Sequence, residues 1–376
     1  MPQKIKILHL GKFYTPFSGG IERCIDTIIK SNIYSNKICN TLLVFGKVTK
    51  TIIKKNNNKI FIFKEFFNIF SKPISFNYVR FAIGQFKSHE IIHIHYPNIV
   101  ASLICILIPK DKKIIVHWHS DIINTHGLSI FIRFLERYML KRANSVIVAT
   151  ELYANNSKPL LPFKNIITYI PYGISAQSTI KKPKESKFYY EILSKYKKKK
   201  IILSVGRLIS YKCFDQFIPM AKLLHKDFVI IIVGYGPLYG ELNMQIKKNC
   251  LQEKIKILTN VNDKELEIIY RSSYVYVSLS KGRQESFGIS LIEAQKFSLP
   301  IITNNPTETG SHFINKHNIT GYNIKETNMK IITQKINSFL VNKKKYNLFK
   351  KASHQSFIKR FQGNEMVKRI NNLYLS

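Results

Sequence analysis

The chain opens on a short, mainly apolar block, Ile5–Leu10, which reads as a buried strand. A loop, Gly11–Gly20, follows. Ile21, Cys24, Ile25, Ile28 and Ile29 then recur at the spacing of one helix face. Further buried strands are expected at Thr41–Phe45, Lys59–Phe63, Ile91–His95, Ile114–His119 and Ser145–Ala149, with a helix over Phe131–Lys141.

The second half repeats this logic. Ile201–Val205, Phe228–Val233, Ile255–Leu258, Tyr274–Ser278 and Pro300–Thr303 read as strands. Helices are predicted around Phe214–Ala221 and over Leu238–Asn249 and Ser286–Phe297. Strands that alternate with helices predict an α/β protein with parallel sheets covered on both faces. A polar stretch, Lys181–Ser186, and the run Lys197–Lys200 divide the halves, so the break is expected near Tyr172–Ser186. Two doubly wound domains are predicted, 1–175 and 176–355. A terminal helical segment, 356–376, carries Met366, Val367, Ile370 and Leu373 at helical spacing and is expected to return to the first domain. Ligands of such open sheets bind at the carboxyl ends of the strands.

Composition supports this picture. A length of 376 residues suits two domains, and 45% hydrophobic with 22% charged residues is globular usage. The longest apolar stretch, Ile99–Ile108, is too short to span a bilayer, which takes about 20 residues. The first strand has no small-residue cleavage site after it, so no signal peptide is expected. Five scattered cysteines with no Cys-x-x-Cys fit a reducing, cytoplasmic setting. The net charge of +37 changes the picture more. It points to nucleic acid, an anionic membrane face or phosphorylated small molecules, or else to a general Lys, Ile and Asn bias, since the basic residues are spread along the whole chain.

Three loops carry candidate chemistry. Gly11–Gly20 ends on Gly19-Gly20 at a helix start, where free amides can meet a phosphate; an ordinary strand-to-helix turn has the same look. Ser204-Val-Gly-Arg207-Leu-Ile-Ser-Tyr-Lys212 sets two cations after a strand, either solvated or able to neutralise a diphosphate. Glu285-Ser-Phe-Gly-Ile-Ser-Leu-Ile-Glu293 places two scarce carboxylates eight residues apart, suited to gripping separated hydroxyl groups, with Phe287 and Gly288 amides at the helix start. His93-x-His95 and His117-x-His119 each put two imidazoles on one strand face. That spacing can serve zinc, but Asp121 is the only carboxylate beside them, and no metal is expected. No Asp-x-Asp occurs among the six aspartates.

The Gly-Gly loop, His117-Trp-His119-Ser-Asp121, the Gly-Arg…Lys loop, Gly234-x-Gly236-Pro and Glu-x₇-Glu with Ala294 and Pro300 stand in one order over nearly the whole chain. In this it resembles the retaining glycosyltransferases of family 4, which have the GT-B fold. The resemblance implies two Rossmann-like domains facing across a cleft, an acceptor domain first and a nucleotide-sugar donor domain second. Gly19, Gly20, Arg207, Lys212, Phe287 and Gly288 would hold the donor diphosphate. Glu293, Gly234 and Gly236 would hold the ribose and nucleotide. His119 and Glu285 would stand at the transferred sugar, with Tyr14, His95 and Asp121 on the acceptor side. No cofactor is implied, and the nucleotide-diphosphate sugar, of UDP or GDP type, is a substrate. Thr259-Asn-Val-Asn262 and Ser286 depart from the family's usual glycines, which leaves base and sugar open.

The chain is therefore expected to be a metal-independent hexosyltransferase acting on a lipid-linked saccharide in O-antigen, capsule or lipopolysaccharide assembly, peripheral on the inner face of the bacterial cytoplasmic membrane. A nucleotide-sugar epimerase on the same architecture would need no acceptor, and the Glu-x₇-Glu pair favours the transferase. A basic nucleic-acid-binding protein is the other alternative, but no binding motif accompanies the charge.

Overall fold

The computed structural model describes residues 4–14, 19–31, 36–53, 58–69, 72–122, 129–177, 186–304, 310–324 and 328–376. Part of the first glycine loop, 15–18, and most of the polar stretch between the halves, 178–185, lie outside them. The chain divides into two compact units, Met1–Ile174 with Gly363–Ser376, and Ser175–Gln362.

The first unit is built on an eight-stranded sheet. Its strands are β1 (Ile5–Leu10), β2 (Ile38–Gly46), β3 (Lys50–Ile53), β4 (Lys59–Lys64), β7 (Ile91–Tyr96), β8 (Lys113–Trp118), β9 (Ser145–Val148) and β10 (Ile167–Tyr169), in the order β10-β9-β8-β7-β1-β2-β4-β3. A separate hairpin joins β5 (Phe67–Ile69) and β6 (Lys72–Ile74). All pairings in the large sheet are parallel except β3 with β4 at the edge. A parallel sheet needs cover on both faces, and every residue of β7 is accordingly buried. One face of the sheet carries Leu8, Leu10, Ile92, Ile94, Val116 and Trp118 into an apolar core under α2 (Phe76–Gln85), α3 (Ile99–Ile104) and α4 (Ser129–Arg142). Strand alternation sends His9, His93, His95 and His117 to the other face.

Two helices cover that histidine face. In α1 (Gly20–Lys30) the expected stripe Cys24, Ile25, Ile28 and Ile29 is buried. The last helix, α13 (Gly363–Leu375), packs in the same unit, where Cys24 Sγ meets Met366 Sδ at 3.9 Å and Gly363 N donates to the Ile174 carbonyl at 2.8 Å. The short α5 (Glu151–Asn155) follows β9.

The second unit has six parallel strands in the order β13-β12-β11-β14-β15-β16. They are β11 (Lys200–Val205), β12 (Phe228–Val233), β13 (Ile255–Leu258), β14 (Ser273–Ser278), β15 (Ile301–Asn304) and β16 (Gly321–Ile324). The order reverses at β11, the switch point of a doubly wound sheet. Its helices are α6 (Phe217–Leu223), α7 (Tyr239–Lys248), α8 (Asp263–Ser272), α9 (Ile289–Lys296), α10 (Gly310–Ile314), α11 (Met329–Val341) and α12 (Lys343–Arg360). Two predicted helices start later than their periodicity suggested. Cys213, left-handed at φ 52°, delays regular α-helix until Phe217, and Gly288 at φ 100° delays α9 until Ile289. Glu285 therefore precedes α9 and Glu293 lies within it.

Candidate functional site

In the second unit the loop of Arg207 and Lys212, the Gly234-x-Gly236 turn and the loop leading to Glu285 leave β11, β12 and β14, which are neighbours running the same way, so all three emerge at one carboxyl edge. Glycines allow the loops to interlock. A Cβ on Gly234 would stand 1.9 Å from the Gly206 carbonyl oxygen, and one on Gly236 2.5 Å from that of Leu208. Leu208 N donates to Tyr235 O at 2.8 Å, and Lys281 N to Tyr211 O at 2.7 Å. Gly234 and Gly236 thus act first on the backbone, seating one loop against the next.

This packing brings Lys212 and Glu285 into a direct ion pair, their side chains 13% and 12% exposed. A side chain at Gly206 would crowd the lysine, since its Cβ would fall 3.2 Å from Lys212 Cε. Burial alone would lower the Lys212 pKa, but the Glu285 carboxylate, aided by Tyr211, more than offsets it and leaves the ammonium above its ordinary range. Lys212 therefore stays charged. Arg207, by contrast, is exposed on the same loop.

After Glu285 the chain turns at Gly288 into α9. The Phe287 ring is buried beside Phe313 and Phe361, and Gly310 must be a glycine here, because its Cβ would lie 2.4 Å from Phe287 Cα. Glu293 lies inside α9, 7% exposed, where the Tyr270 hydroxyl donates to it at 2.9 Å. Asn260, in the loop after β13, is left-handed at φ 56°, and Asn262 forms a capping box with Glu265 at the start of α8.

In the first unit Gly19 is the extended N-cap of α1 and Gly20 its first residue. The atoms nearest a Cβ on Gly19 would be those of the Glu22 side chain. The Tyr14 ring is buried and its hydroxyl donates to Asp26. Asp121 accepts from Trp118 Nε1 at 2.9 Å and Ser157 Oγ at 2.7 Å, while its amide donates to the Tyr153 hydroxyl at 2.7 Å. These contacts tie Asp121 into the end of β8.

His95 and His119 belong to a cluster larger than the two His-x-His pairs. His9, His93, His95, His117 and His119 are all buried and form stacked ring pairs 4.2–5.7 Å apart. His119 Nε2 lies 3.1 Å from His95 Nδ1, and its Nδ1 meets the Tyr172 hydroxyl. Burial lowers the pKa of all five rings, His9 to about 4 and His117 to about 3, with neighbouring histidines adding to the effect, so at neutral pH the cluster is uncharged. Sequence reading missed His9 and Tyr172. The signal for His9 was a polar residue in the buried, otherwise apolar end of the first strand, Ile7–Leu10. Tyr172 had none, because its place at His119 comes from tertiary packing.

The described residues place an acidic and a basic candidate in contact at the second unit's strand edge, and His95 and His119 in contact in the first. Arg207 and Glu293 join neither contact in the hydrogen bonds and ion pairs described.

Comparison with known proteins bears on family and fold. Residues 186–356 match the family model "Glycosyl transferases group 1". Over 98% of both chains, the protein is 23% identical to O-antigen chain mannosyltransferase C of Escherichia coli. It is 29% identical over 232 residues, 62% of this chain and 59% of the relative, to the D-rhamnosyltransferase WbpZ of Pseudomonas aeruginosa. Among solved structures, Alr3699/HepE of Anabaena, crystallised with UDP and glucose, superposes with a TM-score of 0.76 at 16% identity, covering 98% of this chain and 99% of that one.

Proposed function

Since the chain is a GT-B glycosyltransferase with a group 1 domain, we propose that it transfers a hexose-type sugar from a nucleotide-diphosphate donor to a lipid-linked saccharide during bacterial surface-polysaccharide assembly, with retention and without a metal ion. The observation that carries this reading is the Lys212–Glu285 pair at the shared carboxyl edge of β11 and β14. Lys212 and the exposed Arg207 would meet the diphosphate, where two fixed cations take the place of a divalent ion as negative charge grows on the leaving group. Glu285, held by Lys212, would accept from hydroxyls of the sugar. The Phe287 and Gly288 amides would meet phosphate, and Glu293 the ribose. In the first unit, Gly19 and Gly20 would offer amides to phosphate and His119 would lie beside the sugar. The acceptor oxygen would attack the anomeric carbon on the face the diphosphate leaves, and a departing phosphate oxygen would take its proton.

The names of the relatives support the polysaccharide setting: O-antigen chain mannosyltransferase, D-rhamnosyltransferase and amylovoran biosynthesis glycosyltransferase. A surface of the first unit supports the lipid-linked acceptor. On α4, Ile130, Phe131 and Phe134 are exposed beside exposed Arg133, Arg137 and Lys141, and the adjoining Leu103, Ile106 and Leu107 are exposed too. Apolar side chains amid cations fit an anionic bilayer surface, where each cation adds about 1 kcal/mol. No helix among the described residues is long and apolar enough to cross a membrane.

The test is thermal stability against UDP-, GDP- and dTDP-sugars, with and without EDTA. A donor at ~100 times its Kd adds about 2.7 kcal/mol to the folded state. A melting shift with one nucleotide class that survives EDTA is expected. A shift that EDTA abolishes would remove the metal-free claim, and none with any donor would remove the reading.

A further inference from the structure

A single file of hydrogen bonds crosses the histidine face of the first unit. Asn58 Nδ2 donates to the Ile29 carbonyl at 2.9 Å, which orients that amide. Asn58 Oδ1 then accepts from the Asn40 backbone at 2.9 Å and from Asn40 Nδ2 at 3.4 Å. The oxygen end of the Asn40 amide is thereby turned to His9, with Oδ1 2.9 Å from Nε2. His9 Nδ1 lies 3.1 Å from His95 Nε2, His95 Nδ1 lies 3.1 Å from His119 Nε2, and His119 Nδ1 meets the Tyr172 hydroxyl.

The direction of every link follows. A neutral imidazole has one N–H and one lone pair. Asn40 Oδ1 can only accept, so the hydrogen of His9 is on Nε2 and its Nδ1 is a lone pair. His95 must then donate from Nε2, which leaves its own Nδ1 as acceptor. His119 must likewise donate from Nε2, so its Nδ1 accepts from Tyr172. Each contact in the file is satisfied, and reversing one link alone would set two hydrogens or two lone pairs face to face. The neighbouring His117 has no such order, since neither of its ring nitrogens has a hydrogen-bond partner among the described residues.

We propose that Asn58, Asn40, His9 and His95 are positioning residues for His119: they hold it as the Nε2–H tautomer, so that Nδ1 meets any ligand hydroxyl that takes the place of Tyr172 as a hydrogen-bond acceptor. Its bearing on catalysis rests on the reading of His119 as a residue beside the transferred sugar. The structure also offers a rival use for these rings, because His9, His93 and His95 each present one nitrogen, all within 4.8 Å of one another, a spacing a metal ion could close. A metal held by His9 Nδ1 and His95 Nε2, the two nitrogens that face each other at 3.1 Å, would need a lone pair on both. It would thus reverse the file and put the His119 hydrogen on Nδ1.

The two outcomes separate in two-bond ¹H–¹⁵N correlation spectra of histidine-labelled protein at pH 7.5, combined with metal analysis of the same sample. His9, His95 and His119 are expected to be protonated on Nε2, without stoichiometric metal. Asn40→Leu removes the acceptor that sets the direction. Asn40→Asp, by holding both protons on His9, drives the file backward. Both are expected to move the His119 hydrogen to Nδ1 and to lower kcat/KM roughly 3- to 10-fold, the loss of about one hydrogen bond. Wild-type His119 protonated on Nδ1, or one equivalent of bound metal, would overturn the proposal even if the variants fail to fold. A reversed tautomer with unchanged kcat/KM would overturn the positioning role. Full activity in His119→Ala would instead overturn the reading of His119 at the sugar, and the spectra would still decide the order of the file.

Discussion

Glu285→Gln keeps the shape of the side chain at the second unit's strand edge but removes its charge. Lys212, 13% exposed, then holds an ammonium with its carboxylate gone. Removing one partner of a fully buried pair costs about 3–5 kcal/mol; the residual exposure of this one brings the expectation to about 2–3 kcal/mol. In a unit the size of Ser175–Gln362 that lowers the melting temperature by roughly 4–12 °C. Lys212→Met should cost a similar amount by stranding Glu285. The double variant should recover most of the loss, because neither charge is left alone. Melting curves of the four proteins give the coupling energy, and a value below about 0.5 kcal/mol, within ordinary additivity error, would refute the claim that the pair is coupled. Transfer measured on the same four proteins separates stability from chemistry. The double variant, though stable, is expected to be inactive, and wild-type turnover in it would remove both residues from the donor site.

Other expectations follow from the first unit. The five histidines have folded pKa values below the ordinary 6.5, His9 at about 4 and His117 at about 3, so the unfolded chain binds their protons first as pH falls. Stability should be complete above about pH 6.5 and should fall toward pH 4. The loss is roughly 1.4 kcal/mol at pH 5.5 for each of His9 and His117, and the other three add in the same direction, so acid unfolding near pH 5 with multi-proton uptake is expected. A flat denaturation midpoint between pH 7 and 5 would contradict the neutral cluster. Vesicles rich in anionic lipid should bind the protein at low salt, and Ile130→Ser with Phe134→Ser should weaken that binding several-fold without changing donor affinity. Binding equal to wild type in that pair would exclude α4 from the lipid contact, and undiminished binding at about 1 M salt would exclude a mainly electrostatic anchor.

Much of the fold was legible because buried parallel strands are nearly continuous apolar runs. Ile5–Leu10, Phe228–Val233 and Ile255–Leu258 fall where the sequence put them. The edge strand Lys50–Ile53 escaped because it is largely exposed and half polar, and Ile167–Tyr169 is too short for a period to show. Helix starts slipped where a backbone angle decided them, at Cys213 and Gly288, since apolar spacing carries no information about φ. At the site, sequence order identified the loops but not their partners. Nothing in the spacing of Lys212 and Glu285, 73 residues apart, states that they touch. The histidine file was half visible as His-x-His on two strands, while Asn40, Asn58 and Tyr172 join it only through packing.

The return of α13 to the first unit has a consequence for how the molecule is made. Residues 363–376 complete a unit whose other residues, 1–174, precede the whole of Ser175–Gln362 in the chain. Until Met366 reaches Cys24 and Tyr374 reaches His93, the histidine face lacks part of its cover. Ser175–Gln362 is continuous in sequence and needs no later segment. The usual order of synthesis, in which the N-terminal domain folds first, is thus inverted at the final step. A chain broken off after α12 would carry every segment of the second unit, while the histidine face of the first would still lack α13.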